Sequence, residues 1–402
     1  MITDLSEVKR QPWYRTYPQE VREQMETYTF PEIPVSRLLE SSAKYYPKAT
    51  ALVYEPENFM VSYSELCTLC QRFASGLQHR LGVKKGDRVA IYARNYPETA
   101  IAFYAIAMAG GVYVACNPLL IKRELEYQLN DPQARTIVIS DEMLPVVREV
   151  IREKSTGLQA VIVFERDKEL KPPFLGKAKG EYRSPFWKYA DVFSEEPLTK
   201  PEISPQHDLI TIMYTSGTTS YPKGVMSSQY NVVSSCIIYG TTYTGKFPEL
   251  DEEGFLKLTN FEKDLSMEWE YPFRYGIDSV LAVPPWTHMM GFLGQLIFPV
   301  MSAMTIFPMP TFDIDSMLSM IRRWKIGFAG GAPQMMASLL SRPDIDRQDI
   351  SSIRAWTSGG NPTPTALGEK FEKRLGGAIS EAWTLTEATM SSTKNYVNKS
   401  SS

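Results

Sequence analysis

Cysteine is scarce: Cys67, Cys70, Cys116 and Cys236 are the four in a chain of 402 residues. So few thiols at this length exclude a disulfide framework and point to a reducing compartment. Cys67-x-x-Cys70 has half the spacing of a zinc site, but no second Cys/His pair has metal spacing. A helix predicted over 62–81 puts Cys70 on its apolar face with Leu66, Phe73 and Leu77, so the pair reads as structural. Ser62 and Glu65 have the spacing of a capping box at that helix's start. A basic surplus is missing too: 43 basic and 46 acidic side chains leave a net charge of −3, which argues against a nucleic-acid partner. Residues 1–13 carry no apolar core of a secretory signal, and with the cysteine usage this gives a cytoplasmic expectation. Residues 279–312 contain no Asp, Glu, Lys or Arg, yet Pro284, Pro285, Pro299, Pro308 and Pro310 punctuate them. A membrane span needs about 20 apolar residues. The stretch therefore reads as buried strand, helix and strand, and no transmembrane segment is expected.

What remains is ordinary globular composition, 43% hydrophobic and 22% charged. A single core rarely exceeds roughly 250–300 residues, so two or more subdomains are expected. Strands are predicted over 88–93, 112–116, 136–140, 160–164, 208–214, 279–283, 303–307, 326–329, 353–357 and 378–383. Helices are predicted between them over 98–109, 228–239, 313–324, 333–340 and 364–374. Such alternation means an α/β fold of layered, largely parallel sheets flanked by helices. The segment 165–206 reads as a connector and 246–276 as a surface insertion with a short helix or hairpin. The expected division is a first α/β subdomain over 1–200, with an N-terminal extension and the connector, and a second over 201–402 carrying the chemistry. The polar end at Lys399–Ser402 has no final packing element and looks cut.

The segment richest in chemistry runs from Tyr214 to Gly224, Tyr-Thr-Ser-Gly-Thr-Thr-Ser-Tyr-Pro-Lys-Gly, after the apolar run 209–213. A strand thus delivers a loop in which Gly217 permits close backbone approach, and backbone N–H groups make a concavity for anions. Thr215, Ser216, Thr218 and Thr219 add hydroxyls, and Lys223 adds a point charge. Lys223 stands at the Walker A offset from Gly217, but Pro222 precedes it and Gly224 follows where a Mg²⁺-binding Ser or Thr would be needed. This is a phosphate loop of another type.

The string closely resembles the Thr-Ser-Gly-Thr-Thr-Gly-x-Pro-Lys-Gly signature of the adenylate-forming superfamily of acyl-CoA synthetases, luciferases and peptide-synthetase adenylation domains. Three more segments fall in that superfamily's order. Pro285 to Gly291 resembles its Pro-x-x-His-x-x-Gly acyl-site motif. Ser358-Gly359-Gly360-Asn361-Pro362 resembles its adenine-side turn. Trp383-Thr384-Leu385-Thr386-Glu387 resembles its aromatic-Gly-x-Thr-Glu motif. The resemblance spans about residues 30–393, and the opening around Pro12-Trp13-Tyr14 is similar to the medium- and long-chain fatty acyl-CoA synthetase branch.

The resemblance implies the large N-terminal domain of such an enzyme, with ATP, Mg²⁺, coenzyme A and a small carboxylic acid as its partners. It implies that the loop Thr215–Lys223 holds the β- and γ-phosphates, that Thr386 bonds the α-phosphate and that Glu387 anchors Mg²⁺. Gly359, Gly360, Asn361, Glu381 and Trp383 would take the adenine. Trp286, His288, Gly291, Gly331, Thr384 and Leu385 would meet the acid, with Lys223, His288, Thr386 and Glu387 acting in catalysis. Two positions depart from the pattern: Ser220 and Thr384 stand where the superfamily has glycine. The superfamily's ribose-binding Asp, hinge and small C-terminal domain have no counterpart before Ser402, so low activity is expected of the isolated chain. Two readings share this site, an acyl-CoA synthetase core for a medium- or long-chain fatty acid and a catalytically silent nucleotide- or acyl-binding module. Acyl length, thiol acceptor and oligomeric state, a homodimer included, stay open. If the β-branched Thr384 narrows the acid pocket, Thr384→Gly in a complete enzyme shifts the ranking of kcat/KM across short and long acids. An unchanged ranking would place Thr384 away from the pocket.

Overall fold

Apolar runs along the chain form two sheets dominated by parallel pairing, in a computed structural model that describes residues 9–11, 14–15, 17–165, 183–215, 221–259, 273–390 and 393–394. The seven-stranded sheet has the order Phe186–Lys188, Ala160–Phe164, Thr136–Ser140, Arg88–Tyr92, Val112–Cys116, Leu209–Thr215 and Lys223–Ser228. Its neighbours are parallel except for the last pair, which is antiparallel. The strands Val112–Cys116, Thr136–Ser140 and Ala160–Phe164 are buried at every residue. Burial on both faces is why they read as unbroken apolar runs rather than alternating ones.

The eight-stranded sheet has the order Thr393–Lys394, Ala378–Trp383, Ala355–Ser358, Phe328–Gly331, Ser279–Ala282, Thr305–Pro308, Thr50–Tyr54 and Phe59–Ser62. Its interior pairs are parallel and its two outer pairs antiparallel. Sheet membership does not follow the expected boundary at residue 200. Thr50–Ser62 joins strands from the second half of the chain, and Leu209–Ser228 joins strands from the first half. Pairing is decided by which buried edge each apolar strand can complete, and chain order does not set that edge.

Between the sheets lies the helix Pro97–Met108, buried at all twelve residues. It touches the helix Tyr63–His79 and strands of both sheets. Past the buried Glu98 and Thr99 of its first turn the helix is apolar on every side, so it has no solvent face and must be enclosed. Tyr63–His79 starts where the sequence predicts: Ser62 Oγ accepts from Glu65 N, and Glu65 Oε2 accepts from Ser62 N at 2.8 Å. Cys67 and Cys70 are buried in it as free thiols, and burial pushes the Cys67 thiol up to about 12 and that of Cys70 well above its usual value. Neither is a thiolate at neutral pH.

The uncharged stretch 279–312 is a buried strand, a helix and a strand. The helix runs from Met289 to Met301, with a π-helical turn over Leu293–Ile297 inside it. Among the described residues no helix is long and apolar enough to cross a membrane. The insertion holds a small hairpin, Glu249–Leu250 with Leu256–Lys257, and the connector holds the edge strand Phe186–Lys188. Removing the cap by Ser62→Ala is expected to cost about 1 kcal/mol. The urea midpoint should fall while the slope of the transition stays constant. An unmoved midpoint would mean that tertiary packing alone sets this helix start.

Candidate functional site

Three motif segments and Gly331 lie at the carboxyl ends of four adjacent parallel strands of the eight-stranded sheet. Ser279–Ala282 leads into Pro284–Gly291, Phe328–Gly331 ends on Gly331, Ala355–Ser358 leads into Gly359-Gly360-Asn361, and Ala378–Trp383 leads into Thr384–Glu387. Register aligns their ends: Gly331 pairs with Ser358, and Ser358 with Glu381. In open α/β sheets ligands bind outside the carboxyl ends of the strands. The phosphate loop leaves the carboxyl end of Leu209–Thr215 in the other sheet, and the chain returns antiparallel with Lys223 opposite Thr215. Ser216, Gly217, Thr218, Thr219 and Ser220 lie outside the described residues. The two sheets' segments meet where Ser227 Oγ and Thr389 Oγ1, both buried, lie 3.2 Å apart. Thr389 is two residues after Glu387.

The returning strand shows what Gly224 does. A Cβ there would stand 2.9 Å from Ile212 and 3.2 Å from the Tyr214 ring, so glycine lets the ring cross the strand pair. Tyr214 donates to Asp131 at 2.6 Å, and Tyr127 donates to the Pro222 carbonyl at 2.8 Å. The helix Lys122–Asn130 thus braces both ends of the loop. Lys223 itself is exposed.

Trp383 is 61% exposed and Leu385 44%, so neither is a core residue. Trp383 presents an open aromatic face beside exposed Gly360 and Asn361. Gly360 has φ +82°, a left-handed conformation that favours glycine. Glu381 has a task that sequence reading missed: its Oε1 accepts from the Thr363 backbone N–H at 2.9 Å. Ser358 and Thr363 hydroxyls lie 2.7 Å apart, so the turn from 358 to 363 is closed internally. One Glu381 oxygen is therefore committed to the turn. Thr384 and Thr386 are half-buried, and the Glu387 carboxylate is exposed. Among the described residues no group of three or more His, Cys, Asp and Glu side chains could hold a metal. A Mg²⁺ at Glu387 would take its other ligands from phosphate and water, a donor set that suits this ion.

Trp286 is fully buried, and among the described residues its indole Nε1 has no hydrogen-bond partner. His288 caps the helix that follows: its Nδ1 accepts from Met290 N at 3.3 Å. An accepting Nδ1 puts the proton of the neutral ring on Nε2. His288 as a residue is exposed, yet partial loss of hydration at the ring pulls its pKa below 6.5. Gly291 is buried for packing: a Cβ there would overlap the carbonyls of Pro284 and Pro285. Gly331 lies against Met335, whose Sδ would be 3.0 Å from a Cβ at that position. Gly359 faces Met290, at 3.6 Å from a Cβ placed there, so the acyl-site and adenine-side segments adjoin.

Asn95 adjoins the candidate site and escaped the sequence reading. It follows the carboxyl end of Arg88–Tyr92, is 3% exposed, and binds the segment that carries Trp286. Its only signal was an amide residue between a strand and a helix.

The same two-sheet scaffold occurs in solved structures. An anthranilate CoA ligase bound to anthranoyl-AMP superposes with TM-score 0.72 at 23% identity, over 89% of this chain and 60% of that one. A long-chain-fatty-acid-CoA ligase from Archaeoglobus fulgidus superposes with TM-score 0.72 at 21% identity, over 92% and 67%. The fold is that of the large N-terminal domain of adenylate-forming enzymes. The family model described as AMP-binding enzyme matches residues 39–401, and the chain belongs to that family. A long-chain-fatty-acid–CoA ligase of Bacillus subtilis is 28% identical over 96% of this chain, which spans 65% of that relative. A rice 4-coumarate–CoA ligase is 28% identical over 89%, and the chain spans 58% of it. The chain thus covers less than two thirds of the length of these relatives.

Loss of hydration at the His288 ring fixes a sign for pH dependence. His288 has a depressed pKa, so its share of stability is complete above 6.5 and is lost as pH falls through the folded pKa. NMR should place the His288 midpoint below 6.5, and His288→Asn, which keeps a capping acceptor, should lose less stability than wild type between pH 7.5 and 5. A midpoint at or above 6.5 would contradict the loss of hydration at the ring.

Proposed function

We propose that this chain carries the acid-activating machinery of an acyl-CoA ligase: with ATP and Mg²⁺ it converts a carboxylic acid, of the medium- or long-chain fatty class, to an acyl-adenylate and then a coenzyme A thioester. The observation that supports this most is the convergence of three motif segments and Gly331 at adjacent strand ends, joined to the strand that returns from the phosphate loop by the Ser227–Thr389 contact. Family membership and the names of the fatty-acid and coumarate ligases point the same way.

In the first step a carboxylate oxygen attacks the α-phosphorus. The bond to the bridging oxygen breaks, and pyrophosphate leaves with the electron pair. In the second the thiol sulfur attacks the acyl carbon, the thiol proton is lost, and AMP leaves. Such transfers depend on positioning and on charge neutralisation where charge develops. Lys223 and the loop hydroxyls would hold the β- and γ-phosphates, and Thr386 the α-phosphate. Glu387 would hold Mg²⁺, which supplies neutralisation of the triphosphate. Trp383 would stack on adenine over the Gly359-Gly360-Asn361 turn, with Glu381 holding that turn. His288, neutral with a proton on Nε2, would donate toward the acid carboxylate. Trp286, Gly291, Gly331, Thr384 and Leu385 would shape the acid's place.

ATP–pyrophosphate exchange with a panel of carboxylic acids tests the reading. Acid-dependent exchange supports it, and nucleotide binding without exchange for any acid would assign a silent binding module instead. Lys223→Ala should weaken ATP about tenfold or more while leaving AMP within about twofold, because the lost charge faces only the outer phosphates. Calorimetry showing equal losses for the two nucleotides would remove Lys223 from the triphosphate.

A further inference from the structure

The segment 282–286 is poorly able to hold itself. Pro284 and Pro285 have no backbone N–H, so Trp286 N–H is the first donor after Val283. The Asn95 amide meets that donor and two carbonyls of the segment, one of which, that of Ala282, also accepts from Met309 N at 3.0 Å. Its Nδ2 donates to the Ala282 carbonyl at 3.1 Å and to the Pro284 carbonyl at 2.9 Å, and its Oδ1 accepts from Trp286 N at 2.8 Å. Tyr113, on the neighbouring strand Val112–Cys116, donates to the Trp286 carbonyl at 3.3 Å. Asn95, just past one strand of the seven-stranded sheet, and Tyr113, on the next, therefore grip the Trp286 residue by both its N–H and its carbonyl. The next turn is built on that grip. His288 N donates to the Pro285 carbonyl at 3.0 Å, and Gly291 lies against the carbonyls of Pro284 and Pro285.

We propose that Asn95 is a positioning residue: its buried amide fixes the 284–288 turn of one sheet against the strand ends of the other, and so sets where Trp286 and His288 stand. The consequence for acid binding rests on the function proposed above; the clamp itself does not. No other small side chain serves equally. Asp would keep the acceptor for Trp286 but turn a carboxylate toward two carbonyl oxygens, and Ala would leave buried polar groups unpaired. With the grip released, the turn gains freedom, and the His288 ring gains water.

Two measurements on the 402-residue chain separate the clamp from the acid-site reading. The first is ¹⁵N-imidazole NMR, which needs no ligand. Asn95→Ala is expected to move the His288 midpoint upward toward 6.5. An unmoved His288 overturns the clamp. The second is calorimetry with decanoyl-sulfamoyl adenosine, a stable mimic of an acyl-adenylate, and with AMP. Asn95→Ala should lose about tenfold in affinity for the mimic and less than about twofold for AMP. Equal losses, or none, overturn the role in acid binding. A wild-type chain that holds the mimic no better than AMP would overturn the acid-site reading while the His288 shift still established the clamp. Should Asn95→Ala not fold, Asn95→Ser, which can retain one of the bonds, carries both measurements with the same directions and smaller size.

Discussion

Enclosure of the helix Pro97–Met108 is the constraint on which the rest of the molecule depends. All of its residues are buried, so strands or helices must cover every side of it. Strands of both sheets and the capped helix Tyr63–His79 do so. The hydrophobic effect is non-directional and asks only that apolar area leave water. Direction comes from the sheets, whose ladders fix which strand ends lie side by side. Covering one helix from two sides brings two sets of carboxyl ends toward a common region. One set carries Asn95 and the phosphate loop, the other the remaining motif segments. Site formation is in this sense a by-product of covering the core.

Much of the fold was legible because parallel strands buried on both faces leave an unmistakable mark. The runs 112–116, 136–140 and 160–164 coincide with their strands, and the helix Pro333–Leu340 matches its prediction at both ends. The capping box at Ser62 shows how a two-residue pattern can locate a helix start. Edge elements were harder. Phe186–Lys188, Phe59–Ser62 and Lys223–Ser228 are partly exposed or short, and their identity as strands is conferred by a neighbour's free edge. The boundary expected at residue 200 rests on composition. Composition marks where the chain is polar, and it does not mark which sheet a strand completes.

The candidate site was legible as strings and less so as tasks. Gly224 and Gly291 belong to motif strings that suggest ligand contact, yet each is glycine because of packing, against Tyr214 in one case and against two carbonyls in the other. Glu381 holds a turn together through Thr363. Trp383, which in isolation would be read as core, is largely open. Asn95 carried no motif, since a clamp is defined by what lies across the sheet gap, and a sequence does not display that gap. Residues that meet a partner nearly 200 positions away are invisible to any local pattern.

The pairing of Thr215 with Lys223 has a thermodynamic consequence for the loop they bound. Bringing the two ends of a loop together costs chain entropy that grows slowly with its length. Here the antiparallel ladder and the Tyr127 and Tyr214 braces meet that cost when the protein folds. Gly224 and Tyr214 lock the register of that ladder, so the two ends are held at a fixed separation.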